Sequence, residues 1–281
     1  MARFGMHFSL WSPEWTKEAA DWAIPEAARY GLDIIEIPLF EPENVDLDHA
    51  RDIVRDHGLA PTASLCLPED RMAHTAPEAC TAYLSDVLDA AHHIGCSMLT
   101  GVTYSALGYK TGVPPTEREY ETVVRALKPV ARKAADLGMT FGLEPCTRFD
   151  THILNTADQT MRLIERIDEP NVFVHLDTYH MNVEEDGYDT GLRRAAGRMP
   201  YLHLSESHRG TPGTGTVDWE LVFRTLADIG DPVDLVVEAF VEVPPQLATA
   251  LCMWRPASRD RFGTLDVGLP YLRGLAARFG L

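Results

Sequence analysis

Four candidate strands in the second half of the chain end on side chains that can move protons or hold a metal. The run FGLE closes on Glu144, VFVHLD closes on Asp177, YLHL carries His203 and LVVE closes on Glu238. A carboxylate at the end of an apolar strand is costly to bury alone. Any one of them, taken singly, also fits a solvated loop residue or an ion-pair partner. Three carboxylates brought to one place would repel each other, and a divalent cation resolves that conflict. Three carboxylates and one imidazole, with no thiolate, form a hard oxygen/nitrogen donor set. That set suits Mn2+, Mg2+ or Co2+ better than a structural zinc.

Such residues need a scaffold that delivers successive strand ends to one rim. Eight strand-like runs are present: Phe4–Ser9, Asp33–Ile37, Ala60–Cys66, Ser97–Val102, Thr140–Glu144, Val172–Leu176, Tyr201–Leu204 and Leu235–Glu238. Helical periodicity fills the intervals. Tyr83, Val87, Ala91 and Ile94 follow a turn at Pro77, and Trp219, Val222, Phe223, Leu226 and Ile229 follow Asp218, a plausible N-cap. Gly31, Gly58, Gly95, Gly138 and Gly230 stand where helices should end, because glycine enters the left-handed conformation without strain. Eight strand–helix units in 281 residues predict an α/β fold, a (β/α)8 TIM barrel forming a single domain over residues 1–281. A doubly wound sheet is the competitor, but no GxGxxG follows the first strand. The stretch Glu242–Ser258 reads as an insertion between the last strand and the last helix.

Composition narrows the partners. The formal net charge of −17 repels phosphate backbones, so no nucleic-acid partner is expected. Cys66, Cys80, Cys96, Cys146 and Cys252 are odd in number and form no CxxC pair, which argues against a disulfide framework. The strand-like start without a signal-type apolar region, and the lack of a long apolar run, predict a soluble cytoplasmic protein with no membrane partner.

Longer motifs carry a resemblance. The runs LEPCTRFDTHILNT, HLDTYHMNVEED, LHLSESHRGTPGTGTVDW and VVEAF, with GMHFSLWSPEW near the start, resemble the ketose 3-epimerases. These include the D-tagatose and D-allulose 3-epimerases of the xylose-isomerase-like TIM-barrel superfamily. The resemblance implies that Glu144, Asp177, His203 and Glu238 are the metal ligands and that Glu144 and Glu238 are also the catalytic acid/base pair. It implies one divalent ion per subunit, with Mn2+ first and Co2+ or Mg2+ next, a small sugar substrate, and a homodimer or homotetramer with Leu251–Trp254 at an interface. His180 and Arg209 match residues that hold the sugar near its carbonyl, and Asp150, Trp15, His7 and Glu36 match pocket positions. Trp15 equally fits core packing, and His180 equally fits a loop cap. Similar proteins commonly have Glu at position 150 and often Asn at 147, and some have Tyr at 7 and Trp near 107. Asp150, Thr147, His7 and Leu107 therefore bear on which ketose is preferred.

The implied reaction agrees with the residue chemistry. A ketose has an acidic hydrogen on C3, beside the C2 carbonyl. One glutamate removes that proton and the other returns one from the opposite face, inverting C3 through a cis-enediolate. The same groups would serve an aldose–ketose or hydroxypyruvate-type isomerase, so that alternative stands beside the epimerase. A metal-dependent endonuclease on the same barrel is disfavoured by the acidic charge and the single cluster.

Overall fold

The computed structural model describes residues 2–241, 243 and 245–281. Eight parallel strands close into a barrel in chain order. They are β1 (Phe4–His7), β2 (Ile34–Pro38), β3 (Ala60–Cys66), β4 (Met98–Val102), β5 (Thr140–Leu143), β6 (Val172–Asp177), β7 (Tyr201–Leu204) and β8 (Asp234–Val237). The last strand pairs with the first, Met6 lying opposite Val237. The expected runs match these strands to within a residue at most ends. The first is the exception. It stops at His7 because the His7 ring accepts from the Ser9 N–H and starts a single tight turn over Phe8–Leu10.

Helices cover the outside: α1 (Lys17–Arg29), α2 (Leu47–Asp56), α3 (Pro77–Ile94), α4 (Glu117–Asp136), α5 (Ala157–Ile167), α6 (Thr178–Glu184), α7 (Tyr188–Arg194), α8 (Trp219–Ile229), α9 (Pro245–Ala250) and α10 (Leu269–Phe279). The expected apolar faces are the buried ones. Tyr83, Val87, Ala91 and Ile94 of α3 are buried, as are Trp219, Val222, Phe223 and Leu226 of α8. The Asp218 side chain caps α8 by accepting from the Leu221 N–H at 3.0 Å. All five glycines expected at helix ends have positive φ. Within Glu242–Ser258, α9 and the segment after it are the described part; Glu242 and Pro244 lie outside the described residues. Among the described residues no helix is long and apolar enough to cross a membrane.

Side chains on a strand alternate between two faces. Outward residues of the strands pack with the helices in the main hydrophobic core. Inward residues form a separate cluster of Ile34, Met98, Phe173, Tyr201 and Val236 inside the barrel. That interior is close-packed. A Cβ on Gly142 would lie 2.6 Å from Phe173 Cζ, and one on Gly5 would lie 2.7 Å from Ile34 Cβ. Two residues further along the same faces, the inward positions are Glu36, His175 and His203, then Asp177 and Glu238. The apolar plug thus sets the height at which the polar groups begin.

Candidate active site

His203 is the centre of the polar layer. It is buried on β7 and directly opposite Asp177 in the β6–β7 register. Its Nε2 lies 2.6 Å from Glu36 Oε2, whose other strong partner is the Tyr201 hydroxyl at 2.6 Å. A carboxylate at Nε2 fixes the proton there and turns Nδ1 toward the rim. Nδ1 is 3.8 Å from Glu144 Oε1 and 3.9 Å from Asp177 Oδ2. It has no hydrogen-bond partner among the described residues, although it is fully buried. Asp177 uses Oδ1 to accept from the Tyr179 N–H at 2.6 Å, capping α6, so Oδ2 is left for the pocket. Ligand atoms of Asp177, His203 and Glu238 all lie within 4.8 Å of one another. The N–H of Glu144 donates to the Gly101 carbonyl and that of Glu238 to the Leu204 carbonyl, so both glutamates are held by extensions of the strand ladder.

The electrostatics show what this cluster lacks. Burial pushes Asp177 up to about 7, with Glu238 repulsion adding to it against the pull of Arg209. Burial, with repulsion from Glu238 and Asp177, raises Glu144 well above the carboxylate range despite His203. Burial would depress the His203 imidazolium, but the Glu36 carboxylate outweighs it and holds the group at about 10. Glu238 is displaced the other way. Burial opposes its charge, but the guanidinium of Arg209 in direct contact keeps it below its ordinary value. The protein's own cations therefore neutralise one side of the cluster and leave Glu144 and Asp177 short of positive charge. An unpartnered, buried imidazole nitrogen facing three carboxylates fits a divalent ion in both charge and donor type.

Arg209 and His180 form the second part of the site. Arg209 has a left-handed backbone, φ 59°, which is uncommon for a residue with a side chain and here sits in a buried loop. Its guanidinium lies 4.1 Å over the Tyr179 ring, and Nη2 is 3.1 Å from His180 Nε2. The Thr147 N–H donates to His180 Nδ1 at 3.2 Å, and this turns Nε2 toward Glu144, 3.7 Å away.

The remaining expected positions divide. His7, Glu36, His180 and Arg209 line the same cavity as Glu144, His203 and Glu238. Glu36 reaches that cavity from below, through His203. Asp150 instead turns into its own loop, where it accepts from the Thr147 N–H at 3.1 Å and the Thr147 hydroxyl at 2.5 Å. Trp15 packs on Phe8 with ring centroids 4.5 Å apart in the hydrophobic core, and Pro13 takes the place beside the cavity. Several wall residues were not anticipated: Pro38, Cys66, Val102 and Phe240, with Leu251 at the mouth. Strand alternation would have pointed to the first three, since each stands two places beyond an inward residue of its strand.

Comparison with known proteins agrees with this architecture. The family model described as xylose isomerase-like TIM barrel matches residues 24–256. An L-ribulose 3-epimerase of Methylomonas sp. strain DH-1 is 36% identical over 276 residues, spanning 96% of each chain. A ketose 3-epimerase of Arthrobacter globiformis is 34% identical over 90% of this chain and 89% of its own. The crystal structure of a D-allulose 3-epimerase from Methylomonas sp. in complex with D-allulose matches at a TM-score of 0.92 and 34% identity, over 97% of this chain and 96% of that one. The chain therefore belongs to the xylose isomerase-like TIM-barrel family and, within it, to the ketose 3-epimerases, which are carbohydrate isomerases.

Proposed function

We propose that this chain inverts C3 of a free ketopentose or ketohexose, using Glu144 and Glu238 as a two-base pair and one divalent ion held by Glu144, Asp177, His203 and Glu238. The observation that carries this reading is the placement of the two glutamates, at the ends of β5 and β8, in one cavity with His203. They share one pocket and face one imidazole, yet burial raises Glu144 while Arg209 lowers Glu238. Groups whose surroundings push their proton affinities apart are suited to opposite roles, one giving a proton while the other takes one. The ion, Mn2+ first and Co2+ or Mg2+ next, supplies a Lewis acid that draws developing negative charge onto the substrate oxygens. Glu36 holds the Nε2 proton of His203, so the proton that a metal would displace from the ring is the one on Nδ1, which faces the carboxylates. Arg209 and His180 donate hydrogen bonds to the oxygen that becomes negative as the C3 proton leaves. The surrounding apolar wall excludes water while the enediolate waits for its second proton.

L-ribulose and D-allulose, named for the relatives, are the first substrates to try. The metal-loaded enzyme is incubated with each in D2O and followed by NMR. Deuterium should enter C3 of the epimer, with C1 remaining protiated. Deuterium at C1 with an aldose appearing would replace this reading with an aldose–ketose isomerase. We also take residues 1–281 to be one domain that works as a homodimer or homotetramer in the cytoplasm. Five free cysteines and a Trp254 side chain 75% exposed beside Leu251 and Met253 support this, and sedimentation velocity tests the assembly.

A further inference from the structure

A second cluster of metal-binding side chains lies outside the cavity. His74 sits between β3 and α3, Glu119 in the first turn of α4, and His152 in the loop between β5 and α5. One ligand atom from each lies within 4.8 Å of the other two. His152 Nε2 and Glu119 Oε1 are 3.2 Å apart, close to the edge of a tetrahedron whose centre is about 2.0 Å from each donor. The rings of His74 and His152 meet edge to face at 5.6 Å, with the Tyr109 ring against both.

The polar atoms here are poorly served by the protein. Both ring nitrogens of His74 and Nδ1 of His152 are buried without a hydrogen-bond partner among the described residues. The His152 side chain is only 8% exposed. Buried polar groups are almost always paired, so an imidazole with both nitrogens orphaned, beside the His152–Glu119 pair, calls for a ligand. The opposite face of Glu119 is committed elsewhere: Oε2 accepts from the Thr116 N–H and hydroxyl, both at 2.7 Å, in the capping box of α4. That fixes Oε1 toward the histidines.

We infer that His74, Glu119 and His152 form a second metal site, separate from the catalytic cluster and selective for a borderline transition ion such as Zn2+. Two imidazoles and one carboxylate are a softer donor set than the three carboxylates and one imidazole at the barrel rim. The site would clamp three loops that shape the sugar pocket. Tyr109 bridges to Thr151, and the Gly108 N–H donates to the Asp150 carbonyl at 2.7 Å. Leu107 of the cavity wall immediately precedes Gly108. This inference does not depend on the proposed reaction.

The test is zinc titration of the chelator-stripped full chain, by calorimetry and by elemental analysis after gel filtration. The substitution His74→Phe keeps the ring contacts and breaks no hydrogen bond seen here. Asp177→Asn impairs the catalytic cluster instead. Wild type should hold two zinc ions per chain, and each variant one. Glu119→Gln can still accept from Thr116, and should weaken zinc at this site by at least about tenfold. The rise in Tm on adding the second equivalent should vanish in His74→Phe. One ion that is lost in His74→Phe and kept in Asp177→Asn would uphold this site and count against the catalytic one. The same zinc content in His74→Phe as in wild type, with unchanged affinity in Glu119→Gln, would overturn the inference and leave the histidines as stacked packing.

Discussion

The barrel rim has two halves made of different materials. From β5 to β8 the last inward positions are Glu144, Asp177, His203 and Glu238. From β2 to β4 they are Pro38, Cys66 and Val102. Both halves obey the same alternation along parallel strands, so the fold does not impose the difference. The charged half needs supporting groups: Glu36 behind His203, Tyr179 behind Arg209, Thr147 behind His180. The apolar half needs none, since its side chains have only to exclude water and leave room. Chemistry should therefore be sensitive to substitution on one side, and substrate choice on the other.

The largest effects are expected at the two glutamates. Glu144→Gln and Glu238→Gln should each lower net epimerisation by about 10²–10⁴, the usual worth of a general acid or base. Gln retains an oxygen for the metal, so metal content is measured alongside turnover. One variant should still exchange the C3 hydrogen of a single epimer in D2O, because its remaining carboxylate can take a proton and return it. Normal inversion in either variant would break the two-base reading. Arg209→Ala should follow, with kcat/KM down by about 10² from loss of a donor to the developing charge. Arg209→Lys should recover only part, because the planar fork over Tyr179 is lost. A near-normal Arg209→Ala enzyme would move this residue out of the chemistry.

Next come the groups that prepare the metal. Glu36→Gln can still accept from His203 but loses the charge that fixes its proton. Mn2+ affinity should fall by about 10–100-fold, with kcat at saturating Mn2+ largely restored. The same cluster gives a pH dependence. In the metal-free protein Asp177 carries its proton up to about pH 7, and Glu144 is raised as well. A metal must displace those protons and the one that His203 holds up to about pH 10, so affinity should weaken as pH falls and binding should release protons. Calorimetry in buffers of different ionisation enthalpy measures the release. Affinity independent of pH between 6 and 8 would mean that the carboxylates are already ionised and His203 already neutral.

Much of this was legible in the chain because it is local. VFVHLD displays its own alternation: Phe173, His175 and Asp177 face in, while Val172, Val174 and Leu176 face the helices. Strand ends and helix-ending glycines are equally local, and the barrel followed from counting them. What stayed hidden was contact over distance. The Glu36–His203 pair spans 167 residues, and nothing near Glu36 marks it as the partner of a histidine rather than of a sugar. His74 and His152 come from two different loops and Glu119 from the first turn of α4. Trp15 could be pocket or core from composition alone, and only Phe8 beside it decides. Thr147 and Asp150, by contrast, bond each other within one loop.

The smallest predicted effect belongs to the apolar half, and it tests the contrast most directly. Leu107 lines the cavity in the β4–α4 loop. It is only partly buried against the core, so its truncation leaves little of a sealed void and should cost little stability. Leu107→Ala enlarges the wall by a few methylene-sized volumes. Small apolar differences of that kind discriminate between substrates by about tenfold or a little more. The kcat/KM ratio of a ketohexose to a ketopentose should therefore shift by about tenfold, mainly through KM. Deuterium incorporation at C3 should be unchanged, because Leu107 is neither an acid nor a base. If Leu107→Ala instead lowered kcat for every ketose and spared the ratio, the wall would be acting on the catalytic groups themselves. The two halves of the rim would then be one coupled unit.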